Sequence, residues 1–292
     1  FINDYYKYFL DGQTLILRST VYPGTTDWLN GYLSKKTKNI NVSFCPERIA
    51  EGKAMEELFN LPQIVSSYND YTTQEVSDLF KKLTKDIIEL DPTEAELAKL
   101  YTNSWRYIQF AIANQFYMLA NGHDKDFYKI YDAMTYKYPR TKSFPKAGFA
   151  AGPCLFKDTM QLSAFDNNRF FLGHSAMLVN EGMPAFIVEE LSKKFNLKNK
   201  NVGILGMAFK AESDDPRSSL SYKLKKILDV STNSLYCSDE FIEDTDFISK
   251  EDLIEKSDII ILGAPHSSYK NLKIKKDKYV YDMWNFFERN TI

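Results

Sequence analysis

Residues Thr14 to Cys45 read TLILRSTVYPGTTDWLNGYLSKKTKNINVSFC. The stretch opens on an apolar run, TLILR, and closes on another, NVSFC. Between them lie a turn rich in hydroxyls and a helical pattern from Thr26 to Leu33. Short apolar runs bounded by turn residues suit strands buried on both faces, and a helix joining two of them is the repeating unit of a parallel α/β layer. Working outward, Gln63 to Ser66 (QIVS) and Asp86 to Glu89 (DIIE) continue the strands, with a helix over Thr73 to Leu83. Residues 1 to 91 are therefore expected to form such a layer. The chain begins with Phe1 inside a helical pattern, which reads as the edge of a longer protein.

From Pro92 the period changes. Proline suits a first helical position, and the next proline is Pro139, so one helix is expected from Pro92 to about Leu119. A shorter helix follows over Asp124 to Tyr136, and a loop rich in Pro and Gly runs from Tyr138 to Pro153. Another helix covers His174 to Phe195, where Gly182 and Pro184 predict a kink or break. The α/β alternation then returns. Strands are expected at Asn201 to Leu205, Ser234 to Cys237, Ile259 to Leu262 and Tyr279 to Asp282, with helices over Ser218 to Leu228 and Lys250 to Glu255. This is the pattern of a second doubly wound unit.

The composition excludes several classes. The chain has 292 residues, 44% of them hydrophobic, enough for a substantial core and more than one domain. A formal net charge of −2 gives no basis for charge-driven binding to nucleic acid or an anionic membrane. No apolar run reaches the roughly 20 residues that span a bilayer. Cys45, Cys154 and Cys237 lie far apart without CxxC spacing, so neither a disulfide framework nor a metal site is indicated, and a reducing cytoplasm is expected.

Three places carry possible chemistry. On the helix after Pro92, Glu96, Lys99, Asn103 and Arg106 share one polar strip, readable as a solvated face of charge pairs or as a row of donors at a site. In GFAAGPCLFKD, Gly148 to Asp158, a cysteine ends a loop of small residues, with Lys157 and Asp158 one helical turn later. A helix start and a nearby lysine favour the thiolate, the nucleophilic form. The other reading of a lone cysteine is a small buried hydrophobe, the expectation for Cys45 and Cys237 inside apolar strands. The loops STVYPGTT (from Ser19) and CPERIAEGKA (from Cys45) follow strands, where α/β sheets bind ligands. They offer Ser19, Thr20, Glu47 and Glu51, or are simply polar turns.

In this order the motifs resemble the UDP-glucose/GDP-mannose dehydrogenase family. The matching segments are STVYPGTT at Ser19, PERIAEGKA at Pro46, AELAKLYTNSWR at Ala95, GPCLFKD at Gly152, GHSAMLVNEGMP at Gly173 and GILGMAFKAESDDPRSS at Gly203. The resemblance implies an α/β fold of two Rossmann-like doubly wound domains joined by a helical dimerisation domain. The divisions would be 1–91 (NAD-binding, incomplete at its N-terminus), 92–195 (helical) and 196–292 (UDP-sugar-binding). It also implies a homodimer and a place in polysaccharide biosynthesis.

The implied reaction is a four-electron oxidation of the C6 alcohol of a UDP-sugar by NAD. Cys154 adds to the aldehyde as a thiohemiacetal, which is oxidised to a thioester and hydrolysed. Lys99 and Asn103 would stabilise the oxyanion or help deprotonate the alcohol, and Asp158, Thr20 and Glu47 would hold the hydrolytic water. Ser19, Thr20, Glu51, Lys157 and Arg217 are implied at the cofactor. Glu47, Arg48, Lys99, Phe149, Gly152, Lys210 and, from a neighbouring subunit, Arg140 are implied at the substrate. Arg48 stands where glucose-type relatives often carry an aromatic residue, which points to a UDP-N-acetylhexosamine.

The chain departs from the pattern in two ways. Ala151-Gly152-Pro153-Cys154 replaces Gly-Gly-x-Cys, and no GxGxxG turn opens the first unit, since GILGM at Gly203 lies in the second. This polypeptide alone is accordingly expected to bind NAD weakly and to be inactive, and micromolar binding in a calorimetric titration would contradict that. A two-electron hydroxy-acid dehydrogenase and a non-catalytic nucleotide-sugar-binding fragment are the alternatives.

Overall fold

A computed structural model describes residues 2–287. The chain divides into two compact units: one runs to Asn103 and includes Gln161–Arg169, and the other comprises Ser104–Met160 and the chain from Phe170 onward.

The first unit holds α1 (Ile2–Tyr5), β1 (Thr14–Leu17), α2 (Thr25–Leu33), β2 (Asn41–Phe44), α3 (Ala54–Asn60), β3 (Gln63–Ser67), α4 (Asp70–Phe80) and β4 (Ile87–Leu90). The strands stand in the order β1-β2-β3-β4. Alternate residues of β1 serve opposite faces, as the two-residue period of a strand requires. Leu15 and Leu17 join Leu29 and Leu33 of α2, whereas Ile16 joins Val76 and Phe80 of α4.

One expectation fails here. β1 and β2 are parallel, as are β3 and β4, but β2 and β3 are antiparallel, with Phe44 opposite Ser66. The apolar runs of β2 and β3 are buried and read alike in either direction, so the sequence pattern could not reveal the reversal.

Helix α5 (Pro92–Gly122) has 31 residues and contributes to both units, because the division falls after Asn103. Its start is fixed by a reciprocal cap: Asp91 Oδ1 accepts from the Thr93 amide at 2.9 Å, and Glu94 Oε2 accepts from the Asp91 amide at 2.9 Å.

The second unit continues with α6 (Phe127–Thr135), the start of α7 (Leu155–Phe165), α8 (Phe171–Lys194), β5 (Asn201–Leu205), α9 (Leu220–Asp229), β6 (Ser234–Ser238), α10 (Lys250–Lys256), β7 (Ile259–Leu262) and β8 (Tyr279–Tyr281). Its sheet, β6-β5-β7-β8, is parallel throughout, as expected. Helix α8 runs through Pro184 unbroken. Proline there forgoes a backbone bond and costs about 3 kcal/mol. Met183, Ile187 and Leu191, all fully buried, supply packing that offsets it. At the C-terminal ends of β5 and β7, Gly206 (φ +90°) lies so close to the Ala264 backbone that an added Cβ would meet its oxygen at 2.4 Å. Only glycine allows that approach.

Candidate active site

In the first unit the residues singled out by sequence gather at the C-terminal ends of β1 and β2. Glu47 is half-buried in the loop after β2. Its Oε1 accepts from the amides of Arg48 at 2.7 Å and Ile49 at 2.8 Å, and its Oε2 pairs with the Arg18 guanidinium. Burial opposes ionisation, but the Ile49 amide and the Arg18 charge outweigh it, and the carboxyl is held below the usual glutamate range. Arg48 bonds the Pro62 carbonyl. Ser19 and Glu51 are exposed, and Thr20 is half-buried.

The polar strip of α5 is not a solvated face. Glu96 is 1% exposed and Asn103 5%; Lys99 is half-buried, and only Arg106 of the four lies open. Glu96 closes the N-terminus of α2, where its carboxylate accepts from the Gly24 amide at 2.6 Å, the Thr26 amide at 2.8 Å and the Thr26 hydroxyl at 2.6 Å.

In the second unit Cys154 is exposed at the head of α7, and its carbonyl accepts the first helical bond, from the Asp158 amide at 2.9 Å. The Asp158 side chain is 1% exposed, with Oδ1 3.3 Å from Lys157 Nζ. The other two thiols are buried: burial raises Cys45 above the usual thiol value and pushes Cys237 up to about 11. The loop leading to Cys154 is fixed from below by a buried amide relay. The Gly148 amide donates to Asn114 Oδ1 at 2.9 Å, Asn114 Nδ2 to Asn180 Oδ1 at 2.9 Å, and Asn180 Nδ2 to the Tyr107 carbonyl at 3.0 Å. Gly152 has φ +102°, and a Cβ there would meet the Phe209 ring at 2.6 Å. The same ring lies 5.3 Å beneath Lys210 Nζ. Phe149 is buried edge-on to Trp284. Arg217 clasps Asp215 with Nε at 2.9 Å and Nη2 at 2.6 Å, which lowers the Asp215 carboxyl. Arg140 is exposed over the Tyr138 ring.

The sequence reading overlooked three features. Arg18 is one. The amide relay of Asn114 and Asn180 is another, because its partners are 66 residues apart. The third is Asp239, which follows β6 and accepts from the Met207 amide at 2.6 Å, the Ala208 amide at 2.9 Å and His266 Nε2 at 3.1 Å. His266 Nδ1 accepts from the Glu212 amide at 3.0 Å, so the ring proton sits on Nε2. Both residues lie just past strand ends, a signal that the strand-end rule could have used.

Family comparisons agree with this layout. The NAD binding domain of the UDP-glucose/GDP-mannose dehydrogenase family matches residues 2–84, its central domain residues 93–181, and its UDP binding domain residues 203–289. The chain belongs to the UDP-glucose/GDP-mannose dehydrogenase family.

Among similar members, the UDP-N-acetyl-D-mannosamine dehydrogenase of Methanocaldococcus jannaschii is 28% identical over 97% of this chain and 68% of its own length. The solved UDP-D-ManNAc dehydrogenase of Pyrococcus horikoshii superposes with TM-score 0.84 at 27% identity, covering 93% of this chain and 67% of that one. A UDP-glucose dehydrogenase from Pyrobaculum islandicum shares the fold, with TM-score 0.82 at 23% identity over 94% of this chain and 68% of that one. The architecture is that of this family: NAD-binding and UDP-binding Rossmann-like domains and a helical central domain.

NAD is the family's cofactor, and the residues present fit part of it. The hydroxyls of Ser19 and Thr20, just past β1, and the carboxylate of Glu51, in the loop before α3, are of the chemical kind that suits its ribose and amide groups. The α2 N-terminus does not suit its pyrophosphate, because Glu96 already fills that position.

Proposed function

We propose that this dehydrogenase oxidises the C6 alcohol of UDP-N-acetyl-D-mannosamine to the carboxylate, with Cys154 as covalent nucleophile. The observation that carries the reading is the contrast among the three thiols, of which only Cys154 is exposed, at a helix start. The names of the relatives and the matched UDP binding domain support the substrate.

In the proposed sequence Lys99 and Asn103 hold the alkoxide oxygen as the hydroxyl proton leaves to solvent and C6 gives up a hydride. NAD, when bound, accepts the hydride at each of the two oxidations. The Cys154 thiol adds to the aldehyde carbon, its proton passing to the carbonyl oxygen, and the thiohemiacetal so formed is oxidised to a thioester. Thr20, Glu47 and Asp158 orient the water that cleaves it, releasing the carboxylic acid and the free thiol. Each sugar thus yields two hydrides and consumes one water. Lys210, Phe149, Gly152 and Arg48 are assigned to the nucleotide sugar, Arg140 to the site of a partner subunit, and Ser19, Glu51, Lys157 and Arg217 to the cofactor. The three-domain division at 91 and 195 and a cytoplasmic setting belong to the same reading.

A homodimer is part of it too. Helix α5 exposes Trp105, Ile112, Phe116 and Leu119, a stripe at near-heptad spacing suited to a second helix. Light scattering is expected to give twice the chain mass, and Trp105→Glu with Leu119→Glu to give the single mass.

Cys154→Ala tests the chemistry: acid formation ceases, and intact acid formation would leave a two-electron dehydrogenase as the better account.

A further inference from the structure

Arg18 ends the run TLILR, and four contacts from the first unit hold its guanidinium. Nη1 donates to the Cys45 carbonyl at 2.9 Å and to Gln63 Oε1 at 2.8 Å, the Phe80 ring centroid lies 4.8 Å from its central carbon, and Nη2 pairs with Glu47 Oε2. The end of β2, the start of β3 and the end of α4 therefore fix the group independently of Glu47.

Glu47 Oε1 already accepts two amides, which occupies both of its lone pairs, while Oε2 has Arg18 as its one partner among the described residues. We propose that Arg18 is the positioning residue for Glu47, holding its carboxylate as a charged acceptor with one open direction, on Oε2, for the water or hydroxyl that the carboxylate serves. The inference rests on the role given to Glu47 under Proposed function.

The fork matters as well as the charge. One planar guanidinium reaches the Cys45 carbonyl, Gln63 and Glu47 at once, and a lysine ammonium supplies the charge without the fixed geometry. The charged side chains that line this crevice within the first unit are Arg18, Glu47, Arg48 and Glu57. Arg48 turns to the Pro62 carbonyl and Glu57 accepts from the Ala50 amide at 2.6 Å, which leaves Arg18 as the cation bonded to Glu47. Without it, only the two amides oppose the burial that disfavours the charged form, and the carboxylate loses the partner that orients Oε2.

The test is kcat/KM against pH for NADH formation from UDP-N-acetyl-D-mannosamine, in the full protein and in Arg18→Met and Arg18→Lys. Arg18→Met is expected to move the acid limb upward by about one pH unit, the size of a neighbouring-charge effect. Its kcat should fall roughly 10- to 100-fold, as loss of positioning can cause. Arg18→Lys is expected to return the limb most of the way while leaving part of the kcat loss. If both variants lose activity alike and the limb stays in place, Arg18 is merely structural and the proposal is overturned.

A second measurement needs no turnover: the carboxyl-carbon NMR titration of Glu47, identified by its loss in Glu47→Gln. An upward shift in Arg18→Met supports the proposal, and an unchanged midpoint overturns it. A wild-type protein that forms no NADH with any UDP-sugar would instead overturn the functional reading on which the role of Glu47 rests.

Discussion

Helix α2 and helix α7 both begin with backbone amides that have no partner inside the helix, and the chain treats the two beginnings differently. At α2 a buried carboxylate, Glu96, takes two amides and a hydroxyl, so the positive end of the helix is neutralised from within. At α7 the residue just before the helix carries an exposed thiol, and Asp158 is buried one turn along. One helix start therefore secures the fold, while the other presents an exposed thiol. A strand-end location alone does not mark a site.

The comparison can be broken most severely at Cys154. Cys154→Ala should lower acid formation roughly 1,000-fold or more, the scale of losing a covalent nucleophile; product analysis by mass spectrometry checks it. Selective alkylation sharpens the contrast among thiols. Cys154 is expected to react on the order of 100-fold faster than Cys45 or Cys237, whose burial disfavours the thiolate. Peptide mapping after a timed pulse of iodoacetamide gives the ratio, and equal labelling of all three would remove the distinction.

At the other helix start the expected effect is on stability rather than chemistry. Glu96→Ala leaves the buried Thr26 donors and the half-buried Gly24 amide without that acceptor and should cost about 3 kcal/mol, read from urea denaturation. A loss below about 0.5 kcal/mol would mean that water replaces the carboxylate.

A smaller effect, dependent on pH, is expected at Asp239. Burial opposes its ionisation, yet the His266 bond and three backbone amides lower its carboxyl below the usual aspartate value. Its contribution is therefore complete above the unfolded value of about 3.9 and fades as pH falls through the lower folded value. Asp239→Asn should cost about 2 kcal/mol at pH 7, and the difference from wild type should narrow as the solution is acidified toward pH 3. A difference that stays constant over that range would show that the charge is not the stabilising feature.

Much of this was legible in the sequence, for reasons that particular residues make plain. The strands Asn201–Leu205 and Ile259–Leu262 fall where their unbroken apolar runs put them, since a strand buried on both faces has little freedom to shift. The ranking of the thiols follows from the same logic: Cys45 and Cys237 sit within or beside apolar strands, while Cys154 follows a loop of small residues. What sequence could not convey was pairing at a distance. The direction of β3 is set by its pairing with β2, not by the pattern of QIVS. Glu96 looks like any exposed helical glutamate until Gly24 and Thr26, about 70 positions earlier, are brought to it. Arg18 passed unnoticed because a charge ending a strand is commonplace, and only the carbonyl of Cys45 and the side chains of Gln63, Phe80 and Glu47 give it a purpose. At Pro184 the break that the sequence allowed does not occur, because the buried packing around it offsets the local penalty.

The most direct measurement is a rapid-quench experiment on the full protein with NAD and UDP-N-acetyl-D-mannosamine, followed by acid trapping and peptide mass spectrometry. The account predicts a transient sugar-nucleotide adduct, bound as a thioester, on the peptide carrying Cys154, formed and lost in step with the second equivalent of NADH. Steady production of the acid with that peptide unmodified throughout, and with Cys154→Ala equally active, would contradict it.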